Sequence, residues 1–111
     1  MGITRTIQLQ TAATAPGNGV SFTPEYSDAM IVEVHGTATS FQIIFEELGP
    51  SGTWYPLQGM KRSDMATLLT EATAVGMYYF GMSDVKTFRA RVVAVSGGSI
   101  SVTGHTIVDE M

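Results

Sequence analysis

Apolar and polar residues alternate along most of this chain with a period of two, the pattern of half-buried β-strands. Arg5–Ala12 alternates around Ile7 and Leu9, until Pro16-Gly17-Asn18-Gly19 breaks the run with turn chemistry. A short second run around Val20 and Phe22 ends at Pro24. Ala29–His35 sends Met30, Val32 and Val34 one way and Ile31, Glu33 and His35 the other. Past the turn at Gly36–Thr39, Ser40–Leu48 sets Phe41, Ile43 and Phe45 on one face and Gln42, Ile44 and Glu46 on the opposite one. The Gly49–Gly52 turn leads into a fifth strand at Trp54–Leu57, which Pro56 makes an edge or interrupted strand. Gly76–Met82 is a further strand containing Tyr78-Tyr79-Phe80.

Two alternating runs, 88–95 and 99–108, flank Ser96-Gly97-Gly98-Ser99. Gly-Gly between such runs predicts a β-hairpin that pairs them. Residues 63–75 are ambiguous. Ser63 has the chemistry of a helix cap, and Met65, Leu68, Leu69 and Ala72 fit helical spacing. Ala66–Thr70 fits a strand equally, and strand is the reading adopted. The count is eight or nine short strands separated by turns. That spacing predicts an all-β chain, an antiparallel β-sandwich or jelly roll, in one domain spanning 1–111. The predicted core is Val32, Val34, Phe41, Ile43, Phe45, Phe88, Val92 and Val102.

Composition narrows the function classes. Charged residues make up 14% of the chain and apolar ones 44%, where an ordinary globular chain carries about 25% charged. A small, thinly charged domain is expected to cover part of its surface with a partner. Ten acids and six bases give a formal net charge of −4. The basic groupings are Lys61-Arg62 and the alternating Arg89 and Arg91, so nucleic acid is not an expected partner. There is no cysteine, which removes disulfides and thiolate metal sites. Met1-Gly2-Ile3-Thr4-Arg5 leads straight into a strand pattern with no signal-peptide core, and no secretion leader is expected. Gly2 with Thr6 meets only the loose myristoylation pattern, which chance often supplies. No apolar run approaches the length of a membrane span, and no membrane partner is expected.

The candidate chemistry is sparse. His35 and His105 stand in different strands without the three or four clustered ligands that zinc needs, and no metal or other cofactor is expected. Glu46-Glu47 alternate in direction along a strand, so they do not converge on a glycosidic bond. No Gly-x-Ser-x-Gly elbow or phosphate loop is present, and no catalytic residue is assigned. Arg89 and Arg91 share a strand face and are expected to ladder with Glu33 or Glu46. Trp54, Tyr55, Tyr78 and Tyr79 are candidates for stacking on a sugar ring. If Val32, Phe45, Phe88 and Val92 face the core, then Ile31, Ile44, Val93 and Val95 face away from it. Apolar residues on that second face mark a candidate subunit interface.

Several segments carry a resemblance. They are Thr4-Arg5-Thr6 with Leu9-Gln10-Thr11-Ala12-Ala13, Val34-His35-Gly36-Thr37, Phe45-Glu46 and Gly52-Thr53-Trp54-Tyr55-Pro56-Leu57. Ala72–Tyr78, Phe88-Arg89-Ala90-Arg91-Val92 and Gly98–Gly104 continue the series. In this order the chain resembles small virion structural proteins encoded in tailed-phage and prophage genomes. The resemblance implies a β-sandwich module, non-enzymatic and homo-oligomeric, that decorates a phage capsid as a cement subunit. The alternative it implies is a tail or baseplate module that binds host carbohydrate. Its partners would be capsid or tail proteins, and its place the virion, assembled in the bacterial host cytoplasm.

Overall fold

Each alternating run of the sequence except the short one around Val20 and Phe22 becomes a strand in the computed structural model, which describes residues 2–24 and 27–109. Of the acidic pair Asp109-Glu110 near the end of the sequence, Glu110 lies outside them. In chain order the strands are β1 (Gly2–Ala13), β2 (Ser27–Gly36), β3 (Ser40–Leu48), β4 (Trp54–Pro56) and β5 (Gly59–Lys61). They continue as β6 (Asp64–Leu69), β7 (Glu71–Ala72), β8 (Gly76–Gly81), β9 (Phe88–Ser96) and β10 (Ile100–Asp109). All pairings are antiparallel. Six strands form one sheet in the order β1-β10-β2-β8-β5-β6. The smaller sheet centres on β3, which pairs β9 along one side and β4 and β7 along the other.

The two sheets meet through an aromatic cluster. Phe45 and Phe88 come from the smaller sheet, Tyr78 and Phe80 from the larger. Phe45 lies 4.6 Å from Phe80 and 5.6 Å from Tyr78, centroid to centroid. Phe88 lies 5.4 Å from Phe80 and stacks with Phe45 at 6.2 Å. These are tilted and offset geometries that ring quadrupoles favour. Every residue of the sequence-predicted core is buried, and Leu9, Met30, Met82 and Ile100 join it.

The chain itself ties the two sheets together along both flanks of the sandwich. Residues 17–22 run beside β9, where Gly17 and Phe22 each exchange two backbone hydrogen bonds, with Val92 and Phe88 respectively. The same segment reaches β1 through Val20 N–H, which donates to Leu9 O at 2.9 Å. The short run around Val20 and Phe22 is therefore two isolated bridges and not a strand. The buried Gln10 amide reinforces this seam by donating to Gly17 O and to Ala90 O at 2.8 Å. On the opposite flank the chain leaves the larger sheet at β6 and enters the smaller one at β7, with Phe45 N–H donating to Thr70 O at 3.0 Å. The ambiguous 63–75 segment is thus strand, β6 and β7, and the helical alternative does not form.

One predicted pairing is overturned. The runs 88–95 and 99–108 are not a hairpin. β9 pairs β3, while β10 lies between β1 and β2 in the other sheet. The Ser96–Ser99 turn crosses the sandwich and docks on the neighbouring 36–40 turn, which crosses it too. Thr39 N–H donates to Ser96 O at 3.0 Å, and Thr37 N–H to Ser99 O at 2.9 Å. Gly97 (φ 74°) and Gly98 (φ 142°) hold backbone that side chains rarely adopt. A Cβ on either would strike Thr39 or Thr37. The Gly-Gly signal was physically real, but it served close approach of two arches and not a two-residue hairpin.

Two predictions follow from the packing. Phe45→Ala should lose about 3–5 kcal/mol of stability, the cost of emptying a fully buried aromatic site, measured by chemical denaturation. Gly59 is buried against the Phe80 ring, and a Cβ there would lie 2.3 Å from Phe80 Cε2. Gly59→Ala should therefore lower stability by about 1–3 kcal/mol through overpacking, in the same assay.

Candidate functional site

With the core face fixed, alternation decides what each sheet shows outward. On the smaller sheet, Glu46 of β3 stands opposite Arg89 of β9, with Arg91 one step along. Arg89 Nε donates to Glu46 Oε1 at 2.8 Å, while Arg91 donates Nε to Oε1 and Nη2 to Oε2, both at 3.1 Å. Of the two ladders expected for these arginines, the one to Glu46 forms; Glu33 is in the other sheet. The Arg89 guanidinium also lies 4.0 Å over the Trp54 ring, a cation–π contact that covers the pair. Burial pushes the Glu46 carboxyl up, but hydrogen bonds and charge from Arg91 and Arg89 outweigh it and hold it below its ordinary range. A carboxylate consumed by two guanidiniums holds no proton to donate and sits poorly placed to accept one. Its effect is to pin β3 to β9, because a slip of the pairing would part the charges.

The larger sheet presents a different outer face. Across β10, β2, β8, β5 and β6, one row reads His105, Ile31, Tyr79, Met60 and Leu68. The β1–β10 side of this face is polar. There His35 Nε2 donates to Thr103 Oγ1 at 3.0 Å, since that hydroxyl gives its own proton to Gln8 Oε1. The β8–β5–β6 side is apolar. Among the described residues six large apolar side chains are exposed, and four of them, Met65, Leu68, Val75 and Met77, lie on β6, on β8 or between them. This row ends at β6, an edge strand exposed along most of its length.

The four candidate interface residues do not form one surface. Ile31 lies on the outer face of the larger sheet and Ile44 on that of the smaller, between Arg91 and Glu71. Val95 packs against the core and not away from it. The cause is a β-bulge: Gln42 pairs Ala94 while Ile43 pairs Val92, so Val93 is the extra residue and the alternation reverses beyond it. No local signal in the sequence marks that bulge.

The four aromatic candidates scatter as well. Tyr78 is 2% exposed and belongs to the core; its hydroxyl donates to Ala74 O at 2.6 Å. Burial pushes its phenol up from the usual range. Trp54 is stacked under Arg89, and Tyr79 stands on the larger sheet. Tyr55 alone borders a cavity, one of about 410 Å³ between the 49–53 turn and the 82–87 loop. Sequence reasoning missed this cavity because its two walls lie some thirty residues apart. Among the described residues no three His, Asp or Glu side chains gather as a metal site.

The Glu46 cluster has a pH signature. Its folded pKa lies below the unfolded one, so its stabilisation is complete above the ordinary carboxylate range and is lost as pH falls through the folded value. Glu46→Gln should lower stability by about 1–3 kcal/mol at neutral pH. The gap to the natural protein should narrow as the pH drops below about 4, in urea titrations across pH.

Comparison with known proteins places this geometry. The family model described as XepA matches residues 4–106. The phage-like element PBSX protein XepA of Bacillus subtilis (strain 168) is 24% identical over 95 residues, covering 86% of this chain and 34% of that protein. The chain thus spans about a third of that relative's length. Among solved structures, the SPBc2 prophage-derived protein YomS superposes with a TM-score of 0.89 at 23% identity, covering 96% of this chain and 95% of that one. The PBSX exported protein XepA gives 0.86 at 24%, covering 96% and 38%. At these identities the structural likeness establishes a shared sandwich fold. The match over residues 4–106 establishes more: this chain belongs to the XepA family.

Proposed function

We propose that this chain is a non-enzymatic assembly module, a structural subunit of a prophage-encoded particle that works joined to further copies of itself. The observation that carries this reading is the apolar row Ile31, Tyr79, Met60 and Leu68, which runs out to the exposed edge of β6. Such a flank offers a second β-rich chain both apolar burial and strand-edge hydrogen bonds. The six-residue β6 carries a single charge, Asp64, and no proline or lysine; a bulge between Asp64 and Leu68, where the Asp64 carboxylate takes the Ala66 N–H, confines its protection against edge pairing to that end. The low overall charge supports the same reading. So does the distribution of the fold: it makes up nearly all of YomS and about a third of the PBSX relative, as a reusable module would.

The specific role proposed is capsid decoration. The subunit would bridge neighbouring shell proteins and add buried area that must be lost before the shell opens. Its chemistry is mechanical, and its place is the virion. A tail or baseplate position is the second reading.

Ile31→Lys and Leu68→Lys should each dissociate the assembly while leaving the subunit folded. A charge in a dry contact loses hydration without gaining a partner. Analytical ultracentrifugation reads the first effect and circular dichroism the second. A natural protein that stays monomeric at every concentration, alone and with particle proteins, would contradict the proposal. In purified virions, a copy number on the scale of the shell subunits supports decoration, and a handful of copies supports the tail.

A further inference from the structure

We propose that the cavity beside Tyr55 binds a neutral saccharide ring, a function separate from the assembly face, with which its lining shares no residue. Its volume of about 410 Å³ falls in the range of small-ligand sites, about 300–1,000 Å³. Tyr55 supplies the platform, for the residue is 52% exposed yet its ring is held in place. The held edge rests on the turn: a Cβ at Gly49 would lie 2.9 Å from Tyr55 Cε2 and 3.2 Å from Cδ2. Only a residue without a side chain lets the ring lie there. The turn is closed by Gly49 N–H donating to Thr53 O at 2.7 Å and Gly52 N–H donating to Gly49 O at 2.9 Å.

The facing wall is fixed too. Leu48 N–H donates to Thr87 O at 2.9 Å, and Val85 N–H to Met82 O at 3.1 Å, which hold the 82–87 loop to β3 and to itself. Preformed walls leave little ordering to be done on binding. Glu47, Asp84 and Lys86 line the cavity together with Tyr55, bringing two carboxylates and one ammonium to its wall. None of these three forms an ion pair with another, so no partner within the trio takes up their hydrogen-bonding capacity.

This combination selects the ligand class. A half-exposed aromatic face takes the apolar face of a pyranose, while carboxylates accept from its hydroxyls and an ammonium donates to its ring or hydroxyl oxygens. Two carboxylates against one ammonium disfavour phosphate and other anions. Two carboxylates without a third ligand make a poor cation cage. A basic peptide would be drawn by the same charge, but its binding would fail at high salt, whereas stacking and neutral hydrogen bonds would persist.

The test is an NMR titration of the isotope-labelled chain with soluble oligosaccharides of glucose, galactose and N-acetylglucosamine. At least one should shift the amides of Gly49, Tyr55, Asp84 and Lys86, and should do so at high salt as well. Tyr55→Ala should weaken that binding about tenfold or more, Asp84→Asn should weaken it measurably, and Tyr55→Phe should retain it. Amide dispersion in the same spectra reports that each variant is folded. No shift with any of the three series would overturn the proposal. So would shifts mapping elsewhere, binding abolished by salt, or Tyr55→Ala binding as well as the natural protein.

Discussion

Four aromatic rings fix which way every strand of this protein faces. Phe45 and Phe88 from one sheet interlock with Tyr78 and Phe80 from the other, with centroids between 4.6 and 6.2 Å apart. Because side chains alternate along a strand, burying Phe45 turns Glu46 outward, and burying Tyr78 and Phe80 turns Met77 and Tyr79 outward. The ion cluster on one face and the apolar row on the other are thus consequences of a single core. The tied flanks serve the same end. Gln10 and the 17–22 segment seal one side, and the β6-to-β7 crossing links the sheets at the other while leaving the outer edge of β6 unpaired.

The two outer faces are unequal, and the inequality carries the functional reading. The smaller sheet shows Glu46, Arg89 and Arg91, whose charges are spent on one another under the Trp54 ring. Ile44, which shares that face, sits between Arg91 and Glu71. The larger sheet shows Ile31, Tyr79, Met60 and Leu68 without such neighbours on the β6 side. An ion-clamped face costs more to dehydrate than an apolar one. A partner is therefore better accommodated at the flank formed by β8, β5 and β6.

Much of this was legible in the sequence, for a physical reason. Alternation reports burial directly, so Ser40–Leu48 was placed to the residue and all eight predicted core side chains are buried. The ladder from Arg89 and Arg91 to Glu46 was legible as well, since charge and parity suffice to suggest it. What escaped depends on relations between distant segments. Whether two runs form a hairpin or an arch is decided by their other partners, here β3 for β9 and β2 for β10. The bulge at Val93 reversed the parity of Val95, and Tyr78 and Tyr79, read alike as stacking candidates, parted into core and surface only once the core was known. The cavity beside Tyr55 joins two turns whose sequences give no sign of each other.

We propose the β8–β5–β6 flank as the assembly face, and hydrogen–deuterium exchange compared between dilute subunit and assembled state distinguishes it from the opposite sheet. Added protection should concentrate at residues 64–69 and 76–81, with the outer face of β3 and β9 unchanged. Added protection centred on β3 and β9, with β6 exchanging as freely in the assembly as in the subunit, would contradict it.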